Sequence, residues 1–353
     1  MKIISYILLT ALVSVKGFNK QIKDLKFNLI DVSGKVYNES IFAENNKKVL
    51  VFISPHCKYS SKFLKFINKL HKLCITSKQT IYLISPNYPQ SLIPDDLSYT
   101  DLDVTIDGMK ELAKRNKLKM PFIYDGDYQV LTSYFKINIT PAIVCLGNDN
   151  NLIYKGKLGE ITPNGGIDTS YIEKIINRKD EQQLVVTKLR GTEIKTKKDL
   201  NTTSEVLRRY ANETVKITEA SESRINFYLK FHNKKITIFF VWQTNDVMCK
   251  ENLLKITEIY KIYRKRGLSL VTICISQNGN DAIDILSQTQ SSGHNFYSNF
   301  YDTNPIFELA GIKSKTTPTI IALGKKGNIL FVSQQILSTE KLKSEIVKAL
   351  ENQ

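Results

Sequence analysis

The same order of secondary-structure signals occurs twice along the chain, and this repeat constrains the fold more than any other feature. In each copy a buried apolar strand leads into a turn and an amphipathic helix. Another strand, two short helical stretches, a Thr-Pro pair, a hairpin and a closing helix follow. Alternation of strand and helix implies crossover connections, and therefore an α/β sheet. A chain of 353 residues is long enough for two such domains.

The repeat predicts individual elements and domain boundaries. In the first copy we predict strands at 49–54, 81–85, 142–147 and 152–159, and helices at 58–73, 108–115, 129–135 and 169–178. In the second copy we predict strands at 236–242, 268–276, 320–323 and 329–333, and helices at 249–266, 281–288, 305–310 and 339–350. The domains are then 18–178 and 225–353. Residues 179–224 form a polar linker or a partly ordered extension, with a helical pattern at 204–210.

The N-terminus has the pattern of an export signal. Lys2 precedes an apolar run at 3–15, which Lys16 and Gly17 follow. We predict a signal peptide at 1–17 and export to the periplasm or to an extracellular or secretory compartment. The run is shorter than the roughly 20 apolar residues that a membrane-spanning helix needs, so no stable membrane span is expected.

Charge and cysteine content narrow the classes of partner. The net charge is +16, but the basic residues are mostly scattered lysines, which indicates a solvated basic surface and no nucleic-acid partner. The cysteines are odd in number and widely spaced, which is not a disulfide framework. They are Cys57, Cys74, Cys145, Cys249 and Cys274. With only four histidines and no Cys/His spacing of a zinc site, neither a metal nor another cofactor is expected.

Cys57 is the candidate nucleophile because it lies on the turn that opens the first long helix. Backbone N–H groups and the helix dipole at such a turn favour the thiolate and lower its pKa. Ser54 is placed to hydrogen-bond the sulfur, and the polar neighbours predict an accessible thiol. Ser60 stands where a dithiol motif has its second cysteine, so the motif is C-x-x-S. A single thiol attacks a disulfide or a peroxide but needs a second thiol from elsewhere to complete the reaction.

The second copy lacks the first cysteine of a dithiol motif, whereas the first copy lacks the second. Asp246 stands at the position of the attacking thiol, and Cys249 stands three residues later. Cys249 is predicted to lie one turn into the helix and to be buried, which favours an inert thiol; it is also the candidate resolving thiol within the chain. The remaining cysteines and the single tryptophan are predicted to be core residues: Cys74, Cys145, Cys274 and Trp242.

Two Thr-Pro pairs occupy matching places in the repeat, Thr140-Pro141 and Thr317-Pro318. A cis-proline beside an active-site turn leaves backbone N–H and C=O groups that can align an extended substrate strand. These four residues are therefore the candidate substrate-binding residues.

Several stretches resemble the thioredoxin superfamily. Residues 52–60 (FISPHCKYS), 120–125 (MPFIYD), 140–144 (TPAIV) and 151–158 (NLIYKGKL) resemble the peroxiredoxin-like branch, the redoxin or alkyl-hydroperoxide-reductase/thiol-specific-antioxidant proteins. This resemblance implies that Cys57 is the peroxidatic cysteine. The family often has a Gly-Cys-x-Ile-Lys segment, which reads GTEIK at 191–195 here, with Thr192 in the place of the cysteine. No arginine lies between Arg115 and Arg178, whereas peroxiredoxins use one to polarise peroxide.

The second copy resembles a different branch of the superfamily. Residues 240–251 (FVWQTNDVMCKE) and 316–330 (TTPTIIALGKKGNIL) resemble TlpA-type thiol–disulfide proteins, with Asp246 at the first cysteine of their W-C-x-x-C motif. Together the two resemblances imply two tandem thioredoxin-like folds, each a central mixed sheet flanked by helices.

Two functions are consistent with these residues. The first is an exported thiol oxidoreductase, or an antioxidant peroxiredoxin-like protein of cell redox homeostasis, that acts through Cys57. Its partners would be an external thiol reductant or partner thiol protein and a polypeptide or peroxide substrate. The alternative is a redox-inactive scaffold that docks polypeptides beside its prolines.

Overall fold

The computed structural model describes residue 22 and residues 24–178, 184–231 and 235–351. The predicted signal peptide at 1–17 lies outside the described residues. Over the described ranges, no helix has both the length and the apolar character that crossing a membrane requires. The chain divides into two compact units. Unit 1 comprises the chain up to Pro89 together with Thr105–Lys195, and unit 2 comprises Gln90–Val104 together with the chain from Thr196 onward.

Unit 1 is built from short strands around a central sheet. Its strands are β1 (Asn28–Ile30), β2 (Val36–Asn38), β3 (Lys48–Phe52), β4 (Thr80–Ser85), β5 (Phe122–Tyr124), β6 (Ile139–Thr140), β7 (Ala142–Leu146), β8 (Leu152–Gly156), β9 (Glu160–Ile161), β10 (Ile167–Asp168), β11 (Val185–Val186) and β12 (Thr192–Glu193). Its helices are α1 (Ser60–Thr76), α2 (Ile106–Arg115), α3 (Val130–Tyr134) and α4 (Ser170–Asn177).

The central sheet of unit 1 has the order β11-β8-β7-β3-β4-β5. Strands β3, β4 and β5 run parallel, β7 runs antiparallel to both β3 and β8, and β11 pairs parallel with β8. Every residue of β3 is buried, because this strand lies in the middle of the sheet with helices covering it. The turn that carries Cys57 follows directly from this central strand.

Unit 2 has longer strands and the same kind of sheet. Its strands are β13 (Ile217–Glu219), β14 (Ile236–Trp242), β15 (Leu268–Ile275), β16 (His294–Ser298), β17 (Thr319–Leu323) and β18 (Ile329–Ser333). Its helices are α5 (Leu200–Ala211), α6 (Glu222–Phe231), α7 (Val247–Tyr263), α8 (Asn280–Gln288), α9 (Asn304–Leu309) and α10 (Thr339–Glu351).

The sheet order of unit 2 is β13-β16-β15-β14-β17-β18, and five of its strands match those of unit 1 in order; the sixth strand, β13, lies at the opposite edge from β11. The parallel trio β14, β15 and β16 corresponds to β3, β4 and β5, and the antiparallel pair β17 and β18 corresponds to β7 and β8. Both units therefore have the predicted architecture, a mixed sheet flanked by helices in a thioredoxin-like fold.

Side chains alternate between the two faces of the sheet along β14, so this apolar strand contributes to a hydrophobic core on each face. Ile238, Phe240 and Trp242 pack on one face of the sheet, and Phe239 and Val241 pack on the other. Successive side chains of a strand point to opposite faces, so a strand covered on both sides must be apolar throughout.

Residues of the predicted linker 179–224 belong to both units. Residues 184–195, which include β11 and β12, lie in unit 1, and residues 196–224 lie in unit 2. The predicted helical pattern at 204–210 lies within α5.

Unit 2 also contains a segment from the first half of the chain, Gln90–Val104. Ser98 O accepts a hydrogen bond from Arg266, and Thr100 O accepts one from the Tyr263 hydroxyl at 2.7 Å. The carboxylate of Asp95 accepts a hydrogen bond from the Tyr210 hydroxyl. The chain therefore leaves unit 1 after Pro89 and returns to it at Thr105.

Candidate functional site

Cys57 lies on the turn between the end of β3 and the start of α1. Its N–H donates a hydrogen bond to Ser54 O at 3.1 Å, and its carbonyl accepts one from Ser61 N–H at 3.4 Å, so the turn is fixed on both sides of the cysteine. The residue is only 1% exposed. The expectation of an accessible thiol is therefore wrong for this conformation, because residues distant in sequence cover the sulfur.

The sulfur of Cys57 is surrounded by hydrogen-bonding groups. Ser60 N–H donates to Sγ at 3.4 Å, and the thiol donates to Thr140 O at 3.2 Å. Burial acts to raise the pKa of the Cys57 thiol. Polar groups act in the opposite direction and outweigh burial, so the pKa is lowered from its ordinary value. These groups are the side chains of Ser60, Thr192 and Thr140 and the N–H of Ser60. The site thus stabilises a thiolate.

The two serines of the motif have different partners. Ser60 hydrogen-bonds the sulfur, and its hydroxyl accepts the N–H of Ser54 at 3.3 Å. Ser54 does not serve as the predicted partner of the sulfur. Its hydroxyl oxygen accepts hydrogen bonds from His56 N–H at 3.2 Å and from Asn87 Nδ2 at 2.9 Å. Ser54 therefore fixes the turn, and Ser60 acts on the thiol directly.

The Thr140-Pro141 pair lies beside the sulfur, as the repeat predicts. The peptide bond between the two residues is cis, and Thr140 is buried. Thr192 also reaches the sulfur and was not among the predicted site residues. The sequence offered one signal for it, the position in GTEIK where peroxiredoxin-like proteins have a cysteine, but nothing in that pattern places the segment next to Cys57.

The corresponding site of unit 2 has a different character. Cys249 is fully buried, and its sulfur accepts a hydrogen bond from Gln243 N–H at 3.4 Å. Burial, with a smaller contribution from Asp246, raises the pKa of the Cys249 thiol to about 11, and hydrogen bonds from Gln243 and Thr317 oppose this only in part. The Thr317-Pro318 bond is cis, as its counterpart is. These groups hold a neutral thiol.

The other thiols are buried in the two cores, as predicted: Cys74, Cys145 and Cys274. Burial raises the pKa of Cys74 and of Cys274 to about 12 and raises that of Cys145. Cys57 is therefore the one cysteine of the chain whose thiol has a lowered pKa. Over the described ranges, no group of three or more His, Cys, Asp or Glu side chains is placed to hold a metal ion.

A cavity of about 240 Å³ adjoins the Cys57 turn in unit 1. The apolar part of its wall is formed by Tyr59, Phe63, Pro141, Leu158 and Ile161. Its charged lining is Lys157, Glu160 and Arg190. Tyr59 and Pro141 are close neighbours of Cys57 and Thr140 in sequence, so the cavity lies next to the turn, although Cys57 is not among the residues that line it.

Comparisons with known proteins found similarity to solved structures only. No family model matches the chain, and no curated protein matches it. It is similar to an uncharacterized conserved protein from Geobacillus kaustophilus, with 22% identity, a TM-score of 0.39, and coverage of 49% of this chain and 89% of that one. A hypothetical protein from Sinorhizobium meliloti 1021 has 18% identity and a TM-score of 0.39, and the match covers 48% of this chain and 90% of that one. A secreted Mycobacterium tuberculosis disulfide oxidoreductase homologous to E. coli DsbE has 14% identity and a TM-score of 0.32 over 44% of this chain and 97% of that one.

Proposed function

We propose that the protein is an exported thiol–disulfide oxidoreductase that acts through Cys57 of unit 1, and that unit 2 is a non-catalytic module. The observation that carries this proposal is the set of hydrogen bonds on one sulfur. Ser60 N–H, at the start of α1, donates to Cys57 Sγ at 3.4 Å, and the side chains of Ser60, Thr192 and Thr140 all act to lower the pKa of the thiol. Such a set lowers the pKa of a buried thiol and produces a nucleophile.

The reaction is thiol–disulfide exchange. The Cys57 thiolate attacks one sulfur of a substrate disulfide, the new S–S bond forms on Sγ, and the other substrate sulfur leaves as a thiolate. Ser60 cannot resolve this mixed disulfide because it has no thiol. An external thiolate therefore attacks the substrate sulfur of the mixed disulfide and regenerates the Cys57 thiolate. The substrate is left bonded to that thiol, and a second external thiol completes its reduction.

A peroxide is the alternative substrate that the resemblance of unit 1 to peroxiredoxin-like proteins suggests. Attack of the thiolate on a peroxide oxygen gives a sulfenic acid and releases water or an alcohol. Two cationic side chains line the adjoining cavity, Lys157, whose ammonium is paired with Glu160, and Arg190, but Cys57 is not among the residues that line it. Disulfide exchange needs no cationic group to polarise an oxygen, so we favour it over peroxide reduction.

Unit 2 supports the second candidate function, a redox-inactive binding module. Asp246 replaces the attacking thiol, and Cys249 is neutral and buried. The TlpA-like fold of this unit would then serve to dock a partner thiol protein or polypeptide.

The experiment follows exchange between the purified full-length chain and an aromatic disulfide that releases a coloured thiol, with an external thiol as reductant. We expect turnover in the wild type, none in Cys57→Ser, and wild-type turnover in the matched control Cys249→Ser. Intact-mass analysis before the reductant is added should show one mixed disulfide per chain, at Cys57. Equal turnover in Cys57→Ser and the wild type would refute the proposal and leave the binding module as the better hypothesis.

Export is a separate proposal that rests on the pattern at 2–17. N-terminal sequencing of the protein from its native source should find a mature chain that begins near Phe18. A chain that retains Met1 in the cytosol contradicts it.

A further inference from the structure

The strand-pairing edge beside Cys57 is already occupied by another part of the same chain. Strand β12 pairs antiparallel with β6, which places Thr192 opposite Thr140 and Glu193 opposite Ile139. The pairing continues as Ile194 N–H donates a hydrogen bond to Asn138 O at 2.9 Å. The backbone groups just before Pro141, which an extended substrate would use, are therefore engaged within unit 1.

The side chains of β12 divide as alternation in a strand requires. Thr192 is half-buried and acts to lower the pKa of the Cys57 thiol, whereas Glu193, on the opposite side of the strand, is exposed. Thr192 thus lies where a substrate residue aligned on this edge would present its own side chain to the nucleophile.

Gly191 permits the close approach of this segment. A Cβ at this position would lie 1.9 Å from Thr140 O, a distance at which the two backbones have to separate. The pairing therefore depends on a residue without a side chain at 191.

The segment is held firmly on either side of the paired residues. At one end, β11 pairs with β8, and the Thr187 hydroxyl hydrogen-bonds that of Tyr154 at 2.6 Å. At the other end, Ile194 lies in the core, and Lys195 N–H donates to Asn87 Oδ1 at 3.0 Å. Residues 188–193, here called the strap, span the distance between these anchors.

We infer that the strap is an internal occupant of the substrate-strand site, and that Cys57 reacts with polypeptide disulfides only by exchange against it. An extended polypeptide takes the place of the strap antiparallel to Ile139 and Thr140, with its disulfide-bonded cysteine at the position of Thr192. The Cys57 thiolate attacks that sulfur, the substrate disulfide breaks, and its other sulfur leaves as a thiolate. This inference rests on the proposed oxidoreductase function. It adds the substrate class, polypeptide disulfides, and a gate, the strap that must leave before such a substrate can bind.

The first arm of the test fixes the strap in place. The variant Thr192→Cys puts a thiol opposite Thr140, whose carbonyl contacts Cys57 Sγ. Mild oxidation with diamide should join the two sulfurs, remove two hydrogen atoms from the intact mass, and abolish labelling of Cys57 by iodoacetamide until a reductant is added. The matched control is Glu193→Cys, whose side chain points away from Cys57, and it should form no such bond. Absence of the bond in Thr192→Cys, or its formation in Glu193→Cys, overturns the inference.

The second arm opens the strap. Gly191→Ala should raise the rate of iodoacetamide labelling at Cys57 by about tenfold, the factor expected when the net contribution of one or two ladder hydrogen bonds is lost. Gly166→Ala is the matched control, because its added methyl would meet only the side chain of Thr162. Circular dichroism checks that each variant is folded. A folded Gly191→Ala that labels at the wild-type rate overturns the gate, and if this variant does not fold, the disulfide arm decides.

The two readouts separate this inference from the proposed function. Labelling and disulfide trapping report the strap alone and need no substrate. If both arms give the expected results while no variant, including Gly191→Ala, turns over a disulfide substrate, the strap is confirmed as a cover of Cys57 and the oxidoreductase function is wrong.

Discussion

Asp246 and Cys249 form a hydrogen-bonded pair at the start of α7. The carboxylate Oδ1 of Asp246 accepts the N–H of Cys249 at 3.3 Å and that of Met248 at 2.8 Å, so Asp246 is the N-cap of the helix. It also interacts with the thiol of Cys249 and helps to raise its pKa. Asp246 thus stabilises the start of α7 through its backbone hydrogen bonds.

We predict that Asp246→Cys restores a disulfide-forming pair in unit 2. The new thiol would stand where the carboxylate now contacts Cys249, and mild oxidation should remove two thiols from the titratable count. Loss of the N-cap should cost about 1 kcal/mol of stability. Asp246→Ser keeps a capping hydroxyl and is the control for that cost. Peptide mapping without reductant identifies the bond, and two free thiols at 246 and 249 after oxidation would contradict the prediction.

The lowered pKa of Cys57 has a measurable consequence for alkylation. The inflection of iodoacetamide labelling against pH should fall below the value of about 8.5 for a free cysteine. Thr192→Val keeps the β-branched shape but removes the hydroxyl that contacts the sulfur, so it should move the inflection upward. Cys249 is the control within the same sample, because its pKa of about 11 makes it label only at higher pH. An inflection that does not differ between the variant and the wild type contradicts a role of Thr192 at the sulfur.

Asp125 should make the stability of unit 1 depend on pH. Burial raises the pKa of this carboxyl to about 6, although hydrogen bonds from Thr132 and from Leu131 N–H act to lower it. An aspartate in the unfolded chain has a pKa of about 3.9, so between pH 4 and 6 the folded state binds more protons than the unfolded state. The contribution of Asp125 to the free energy of unfolding is therefore most favourable below pH 4, and it falls by about 3 kcal/mol as the pH rises through 6.

Urea unfolding at pH 4 to 7 tests this prediction in Asp125→Asn, which cannot ionise. The decrease in unfolding free energy over that range should be smaller in the variant than in the wild type. Trp242 is the only tryptophan and lies in unit 2, so its fluorescence follows unit 2 and circular dichroism follows both units. Identical pH dependence in the two proteins would show that Asp125 titrates as an ordinary aspartate.

Arg264 should contribute to the stability of unit 2 in a way that lysine cannot replace. Its guanidinium donates two hydrogen bonds to Glu213, at 2.6 and 2.7 Å, and lies 4.2 Å from the centre of the Tyr210 ring. Arg264→Lys loses both the paired hydrogen bonds and the stacking, and we expect a loss of about 1–2 kcal/mol. The fluorescence of Trp242 during urea unfolding measures this. Arg115→Lys, in an exposed helical pair of unit 1, is the control and should change stability by less than about 0.5 kcal/mol.

The long, apolar elements of this chain could be predicted from the sequence, because their patterns are local. The strand Ile236–Trp242 and the hairpin strand Ile329–Ser333 begin and end where the pattern indicates. The strand Phe122–Tyr124 is only three residues long, and His294–Ser298 is largely polar, so neither has a periodic signal. Their positions depend on the neighbouring strands with which they pair.

Of the candidate site, the positions of Cys57 and Ser60 at the start of a helix and of the Thr140-Pro141 pair before a strand could be predicted from the sequence. Both follow from short motifs whose geometry is local, a turn before a helix and a proline before a strand. The burial of Cys57 was not predictable, because the strap that covers the sulfur lies more than a hundred residues later in the chain. The role of Ser54 was missed for a similar reason, since Asn87 hydrogen-bonds its hydroxyl from another loop.

The inclusion of Gln90–Val104 in unit 2 affects the order in which the two units can fold during synthesis. Unit 1 is synthesised around a stretch whose partners, among them Tyr210, Tyr263 and Arg266, have not yet been made. At about 5–20 residues per second, that stretch waits on the order of ten seconds for them. Neither half of the chain expressed alone therefore contains a complete unit 2. Proteolytic cleavage between Val104 and Thr105 would cut the chain at the end of a segment of unit 2, and not within a linker.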